Sequence, residues 1–159
     1  MLKDFSELQH VHESLDELFL MHQIAVVRLD AQRALNYLAR FHAEIEKHIR
    51  YEEDVLLPLY AERGGNELEG GRVDFYVKEH KKILELLEEL AQSLSRLSLP
   101  DNDEGARKAL ELLEKEHPLK TLVDHHDRRE HAFLYPFLDQ VTNAEEKRTM
   151  LESAPVPRS

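Results

Sequence analysis

His48-Ile49-Arg50-Tyr51-Glu52-Glu53-Asp54-Val55-Leu56-Leu57-Pro58 has a counterpart later in the chain, His126-Asp127-Arg128-Arg129-Glu130-His131-Ala132-Phe133-Leu134-Tyr135-Pro136. In each stretch a Glu follows the His by four residues, a Leu follows the Glu by four, and a Pro follows the Glu by six. Positions i and i+4 of an α-helix lie one turn apart on the same face, so the imidazole and carboxylate of each copy can reach one metal centre. A single His-x-x-x-Glu is a common accident of helical sequence. Two copies with the same Leu and Pro behind them are a specific signal.

Outward from the first copy, residues 4–57 contain no Gly or Pro and are rich in Leu, Ala, Glu and Arg, which is helical composition. Leu8, Val11, Leu15, Leu18, Phe19, Val26 and Leu29 recur at steps of three and four. His12 and His22 share that apolar face, and His10 points away from it. One helix of this length would be ~80 Å long, too long for a domain of this size. The chain therefore has to turn, and Asp30 is the best N-cap. The second helix then carries Leu35, Leu38, Phe41, Ile45, His48, Glu52 and Val55 inward and is expected to end near Pro58. Gly64-Gly65-Asn66 and Gly70-Gly71 mark the next loop.

A third helix is expected from Val73 to Leu97 and a fourth from Glu104 to about Leu138, with Pro118 kinking it or splitting off a first segment. Thr142-Asn143-Ala144-Glu145 reads as a cap for a short terminal helix, and Pro155 to Ser159 as a frayed end. No stretch reads as a strand. The pattern predicts an all-α, up-down-up-down four-helix bundle over residues 1–141, followed by a short C-terminal helix and tail over 142–159.

Neighbouring antiparallel helices bring two residues to one height when both are equally far from the connecting loop. His48 and His80 have their midpoint at Gly64, His80 and His126 at Asp103, and His12 and His48 at Asp30, all in expected turns. His22 and His48 have theirs at Leu35, inside a helix, so His12 is favoured over His22. Val11-His12 through Leu18 also echoes Glu79-His80 through Leu86. The chain reads as two helix pairs, each giving one lone His and one His-x-x-x-Glu. His12, His48, Glu52, His80, His126 and Glu130 then converge as candidate metal ligands. Six buried polar groups would cost roughly 1–3 kcal/mol for each left unpaired, and a metal cluster satisfies all six.

Bulk properties agree with this. The 159 residues suffice for one domain with a real core. A net charge of −11 disfavours nucleic acid and anionic membranes as partners. The absence of cysteine excludes thiolate sites and disulfides, leaving nitrogen and oxygen donors. Met1-Leu2-Lys3-Asp4 opens no signal peptide and no apolar run approaches the roughly 18 residues of a membrane span, so a cytoplasmic location is expected.

The chain resembles the hemerythrin-like (HHE) cation-binding domains over about residues 5–139, most specifically at His48-Ile49-Arg50-Tyr51-Glu52-Glu53, Glu79-His80 and His125-His126-Asp127-Arg128-Arg129-Glu130 with Leu134-Tyr135-Pro136. The resemblance implies a four-helix bundle around a non-haem di-iron centre, with ligands at His12, His48, His80 and His126 and with Glu52 and Glu130 bridging. The oxygen-carrying members of the family have a second imidazole one turn from the third-helix His. Here those positions are Tyr76 and Leu84. Two bridging carboxylates, four imidazoles and one oxo or hydroxo bridge leave two of the twelve positions of a six-coordinate iron pair unfilled. Water, a diatomic ligand or Tyr76 could take them, with Leu15, Leu84 and Val55 as screening aliphatics, although Tyr76, like Tyr51, is read first as a packing residue.

His22 is read as a satisfied core histidine, and His10, His42, His117, His125 and His131 as facing solvent or standing behind the ligands. Glu53 and His131 occupy equivalent positions but differ chemically, which argues against a shared ligand role. The acidic runs near Glu85–Glu89 and Glu111–Glu116 read as solvated helix faces. The resemblance implies a di-iron protein (Mn or Zn being other possible occupants) that binds O2, NO or peroxide for sensing, scavenging or storage, as a monomer or homodimer. A di-iron peroxidase or oxidase of catalase-like activity and a metal-free helical interaction module are the alternatives.

Overall fold

The long Gly- and Pro-free stretch folds as two helices, α1 (Gln9–Val27) and α2 (Ala31–Tyr51), after a 3-10 turn at Phe5–Leu8. A computed structural model describes residues 1–157; the last part of the expected frayed end, Arg158 and Ser159, lies outside the described residues. The first turn is where the midpoints put it. Leu29 takes a left-handed conformation, with φ 60°, and the Asp30 carboxylate accepts the Arg33 backbone N–H at 3.0 Å.

Pro58 does not end the second helix. A π-helical turn at Glu52–Leu56 follows α2, and α3 (Leu57–Glu62) continues the rod beyond it. Proline lacks the N–H for an α-helical bond and crowds the carbonyl four residues back. Widening the preceding turn relieves that conflict. The second copy behaves identically: α5 (Asp103–Arg129) passes into a π turn at Glu130–Leu134 and then α6 (Tyr135–Val141), with Pro136 at the start of α6. In each π turn the Glu carbonyl accepts from the residue five ahead, Leu57 or Tyr135. Pro118 does not split the fourth rod either; α5 runs through it unbroken.

The loop after α3 uses left-handed glycines at Gly64 and Gly70, φ 101° and 82°, a conformation that costs a side chain dearly. It leads into α4 (Val73–Ser95). Asn102 caps α5, and α7 (Ala144–Glu152) opens with a capping box formed by Asn143 and Glu146. Packing joins α1 to α2, α2 to α4, α4 to α5 and α5 back to α1, which closes an up-down-up-down bundle. No strand occurs among the described residues. No helix among them is long and apolar enough to cross a membrane.

The core holds one polar tie that the acidic-run reading hid. Leu112, Glu116 and Leu119 share the inward face of α5, and Glu116 is fully buried. Its Oε1 pairs with His22 Nε2, while Oε2 accepts from Gln23 Nε2 at 3.0 Å. His22 Nδ1 donates to the Ala34 carbonyl at 2.7 Å. His22 is thus the satisfied core histidine that was expected, tying α1 to α2 and α5 near the first turn. Glu116→Ala strands that imidazole and should cost about 3 kcal/mol in urea unfolding, with metal content unchanged.

Candidate metal centre

The residues that the midpoint argument levels with one another meet between the four rods. His12 comes from α1, His48 from α2, His80 from α4 and His126 from α5, while Glu52 and Glu130 open the two π turns. All six are buried. They fall into two groups capable of holding a metal ion, His12, His48, Glu52 and Glu130, and Glu52, His80 and His126, with the donor atoms of each within 4.8 Å of one another. His12 Nε2 lies 3.1 Å from His48 Nε2, and His48 Nε2 lies 2.7 Å from Glu52 Oε1. Across the centre, His80 Nε2 is 2.9 Å from Glu52 Oε2 and 3.1 Å from His126 Nε2. Glu52 therefore turns one oxygen to each group. Glu130 Oε1 is 3.1 Å from His126 Nε2 and 3.6 Å from His12 Nε2.

The outer nitrogens reveal a near-twofold relation between the helix pairs. Glu53 faces His80 Nδ1 at 2.9 Å, and its equivalent His131 faces His12 Nδ1 at 3.3 Å. The two positions share a place, each facing the outer nitrogen of the lone histidine of the other pair. Glu79 faces His126 Nδ1 at 3.4 Å and is itself held by Arg129 Nε at 2.9 Å. The equivalent of Glu79 in the first pair is Val11, which offers no acceptor, and His48 Nδ1 has no hydrogen-bond partner among the described residues.

This donor set fits a cation. Glu53 and Glu79 can accept the Nδ1 protons of His80 and His126, which would leave both Nε2 lone pairs free for a metal. Two lone pairs 3.1 Å apart, with Glu52 Oε2 beside them, repel unless a positive charge stands between. Glu130 Oε1, buried and without a hydrogen-bond donor among the described residues, is the matching orphan on the other carboxylate.

In the metal-free chain, protons take that place. Burial lowers the His126 pKa, yet Glu130, Glu52 and Glu79 carry it well above the ordinary histidine value. His48 is also opposed by burial but raised to about 8, mainly by Glu52. Burial and the neighbouring imidazole of His48 hold His12 well below the ordinary value. Burial and the charge of Glu52 raise Glu130 to about 7. Burial would raise Glu52 too, but His48 and a hydrogen bond from Glu130 keep it ionised.

A family model described as the hemerythrin HHE cation binding domain matches residues 4–138. The chain belongs to the hemerythrin HHE cation-binding domain family. Comparison with curated proteins returns no match, and neither does comparison with solved structures.

Two readings of this hemerythrin-family site need correction. Tyr76 does not reach the donors with its hydroxyl, which donates to the Arg129 carbonyl at 3.4 Å while its ring packs edge-on to His126. The phenol in the cluster is that of Tyr135, fully buried, 3.0 Å from Glu130 Oε2 and 3.1 Å from His12 Nε2. The inserted residue of the π turn brings the position five after Glu130 inward, where α-helical spacing points to the fourth. Of the expected screening aliphatics, Leu15 does line a small enclosed void of about 10 Å³ against His48 and His126, together with Ile45, Ile49, Ile83 and Val123. Val55 lies instead in a surface groove against α7.

A metal bound by this cluster would have to displace the protons on His48, His126 and Glu130. His48 and Glu130 both have folded pKa values above their unfolded ones, so the His48 contribution to metal-free stability is full below about 6.5 and lost as pH rises through about 8, and that of Glu130 is full below about 4.5 and lost as pH rises through about 7. Metal binding should tighten over that window, roughly tenfold per pH unit for each proton released. Calorimetric titration with Zn2+ in buffers of different ionisation enthalpy should register at least one proton leaving per ion; a pH-independent affinity would put the metal elsewhere.

Proposed function

We propose that this protein holds two metal ions, with iron the physiological metal, and that the pair takes up a small ligand (O2, NO or peroxide) in sensing, scavenging or storage. The observation that carries this reading is Glu52, whose two oxygens belong to two separate donor groups 2.7 Å and 2.9 Å away. A carboxylate so placed bridges two ions. His12 and His48 would hold one ion and His80 and His126 the other, with Glu130 as the second bridge. Four imidazoles and two carboxylates without sulfur suit Fe or Mn, and Zn as an occupant of opportunity. A bound iron pair supplies a reversible change of oxidation state and a position for an exogenous ligand.

The surroundings support a small ligand. The void beside His48 and His126 has space for about one water molecule and is walled largely by aliphatic side chains. Asp16, Val123 and Asp127 line both that void and a groove of about 500 Å³ between α1 and α5. Those shared residues make the groove a candidate way in, and a void of about 10 Å³ suits a ligand of only a few atoms. Leu15, Ile49 and Ile83 keep bulk water from the donors, which strengthens each electrostatic contact inside.

Anaerobic reconstitution with Fe2+, followed by metal analysis, should find close to two irons per chain. A stoichiometry near zero would defeat the reading. His12→Ala should lose much of one ion, whereas His22→Ala should lose little, because the partners of His22 are Glu116 and the Ala34 carbonyl. Rapid mixing of the reduced, loaded protein with O2, NO and H2O2, followed by absorbance, then separates ligand binding from peroxide turnover.

Metal bound only by the fold adds RT ln(1 + [L]/Kd) to its stability, ~2.7 kcal/mol at a hundredfold excess over Kd. Thermal unfolding with and without Zn2+ should show the holo protein melting several degrees higher, and equal melting temperatures would contradict binding at this buried cluster.

A further inference from the structure

The phenol of Tyr135 stands closer to the donor cluster than a packing residue needs to. Its Oη lies 3.1 Å from His12 Nε2, 3.0 Å from Glu130 Oε2 and 3.4 Å from Glu52 Oε1. Two ligands at adjacent corners of an octahedron with bonds of ~2.1 Å are separated by about 3.0 Å. The candidate donors are close to that spacing, with His12 and His48 3.1 Å apart and His48 2.7 Å from Glu52. Tyr135 Oη keeps it, or nearly so, to three of the four members of the same group. As a plain hydrogen-bonding group the hydroxyl can donate once, to Glu130 or Glu52, and accept from His12, which leaves one carboxylate oxygen beside it without a proton from the phenol.

Resting on the two-ion reading above, we propose that Tyr135 is itself a ligand of the ion held by His12 and His48. On loading, the phenol O–H bond breaks, an oxygen–metal bond forms, and the proton leaves to solvent; no electron changes hands. The residue five after Glu52, equivalent to Tyr135 in the other helix pair, is Leu57, also buried but without a donor. The two ions are therefore unequal. The first has His12, His48, Tyr135 and an oxygen from each carboxylate. The second has His80, His126 and the other two carboxylate oxygens. Tyr135 closes one of the two positions that four imidazoles and two carboxylates leave open beside a bridging oxygen. The exchangeable position then belongs to the His80–His126 ion alone. A tyrosine on the fourth rod thus fills a place on the His12–His48 ion, and the place beside His80 where Tyr76 and Leu84 offer no imidazole stays the open one.

The test uses the full chain loaded with iron and oxidised to the ferric state, together with Tyr135→Phe and Tyr76→Phe. Wild type and Tyr76→Phe should show a visible phenolate-to-iron(III) charge-transfer band, and resonance Raman excitation within it should enhance tyrosine ring vibrations that shift when ring-deuterated tyrosine is incorporated. Tyr135→Phe should lose the band entirely per iron bound. Azide should bind the wild type once per iron pair. Should Tyr135→Phe fail to fold, the wild-type Raman spectrum still decides: two irons per chain without tyrosinate modes overturns the ligand assignment and leaves the two-ion reading standing. A band that survives in Tyr135→Phe, or two azides per wild-type pair, overturns it in the same way. An iron content near zero overturns both.

Discussion

Positive charge at the centre of the bundle is the requirement on which the rest depends. Six donor groups on four rods turn their lone pairs inward, and bare nitrogens 3.1 Å apart repel unless a cation or protons stand between them. Left unpaired, each group would cost roughly 1–3 kcal/mol, a large fraction of the stability of a domain this size. The surrounding core is arranged around that demand. Leu15, Ile45 and Ile83 line its inner side, and Leu56, Tyr60, Leu134 and Leu138 are buried on the outer parts of the same rods. These apolar residues raise the cost of an unsatisfied donor and strengthen the hold on whatever satisfies it.

The near-twofold relation between the helix pairs explains the ligand set, and its failures explain why the site is not symmetric. Glu53 and His131 stand behind His80 and His12 as chemically different answers to one need, a partner for the outer nitrogen. Glu79 supplies that partner for His126, but Val11 cannot do so for His48. Tyr135 brings a hydroxyl among the donors where Leu57 brings only methyl groups. All three differences sit against the cluster. Among the many differences between the two halves, these are ones that a metal ion would feel.

Much of this was legible in the residues. The repeated His-x-x-x-Glu, the equal distances of His12, His48, His80 and His126 from expected turns, and Asp30 as a cap led to the buried cluster, because helical rise makes height proportional to residue number. The method fails where that proportion changes. A π turn inserts one residue, so Tyr135 comes inward where α-helical counting points elsewhere, and Tyr76 was credited with a reach that belongs to Tyr135. Glu116 was missed for a different reason. A lone inward acid among Glu111 and Glu114 has no sequence mark, and only its distant partner His22 identifies it.

The prolines that looked like helix ends are better understood as fixing the register of the site. An α-helical continuation would need residue 58 to donate to the carbonyl of Asp54 and residue 136 to that of Ala132, and neither proline has an N–H. At these two prolines, unlike Pro118, the rod continues through a widened turn, in which Leu57 N–H and Tyr135 N–H bond to the carbonyls of Glu52 and Glu130. Each candidate bridging Glu therefore sits at the start of a π turn that closes one residue before the proline's missing N–H. The interval of six between Glu and Pro, recurring in both copies, holds the carboxylate at one height and places position Glu+5 on the inner face beside it. Whether that position then carries Tyr or Leu decides how many donors each half offers, so one backbone device repeated twice yields two donor groups of different character.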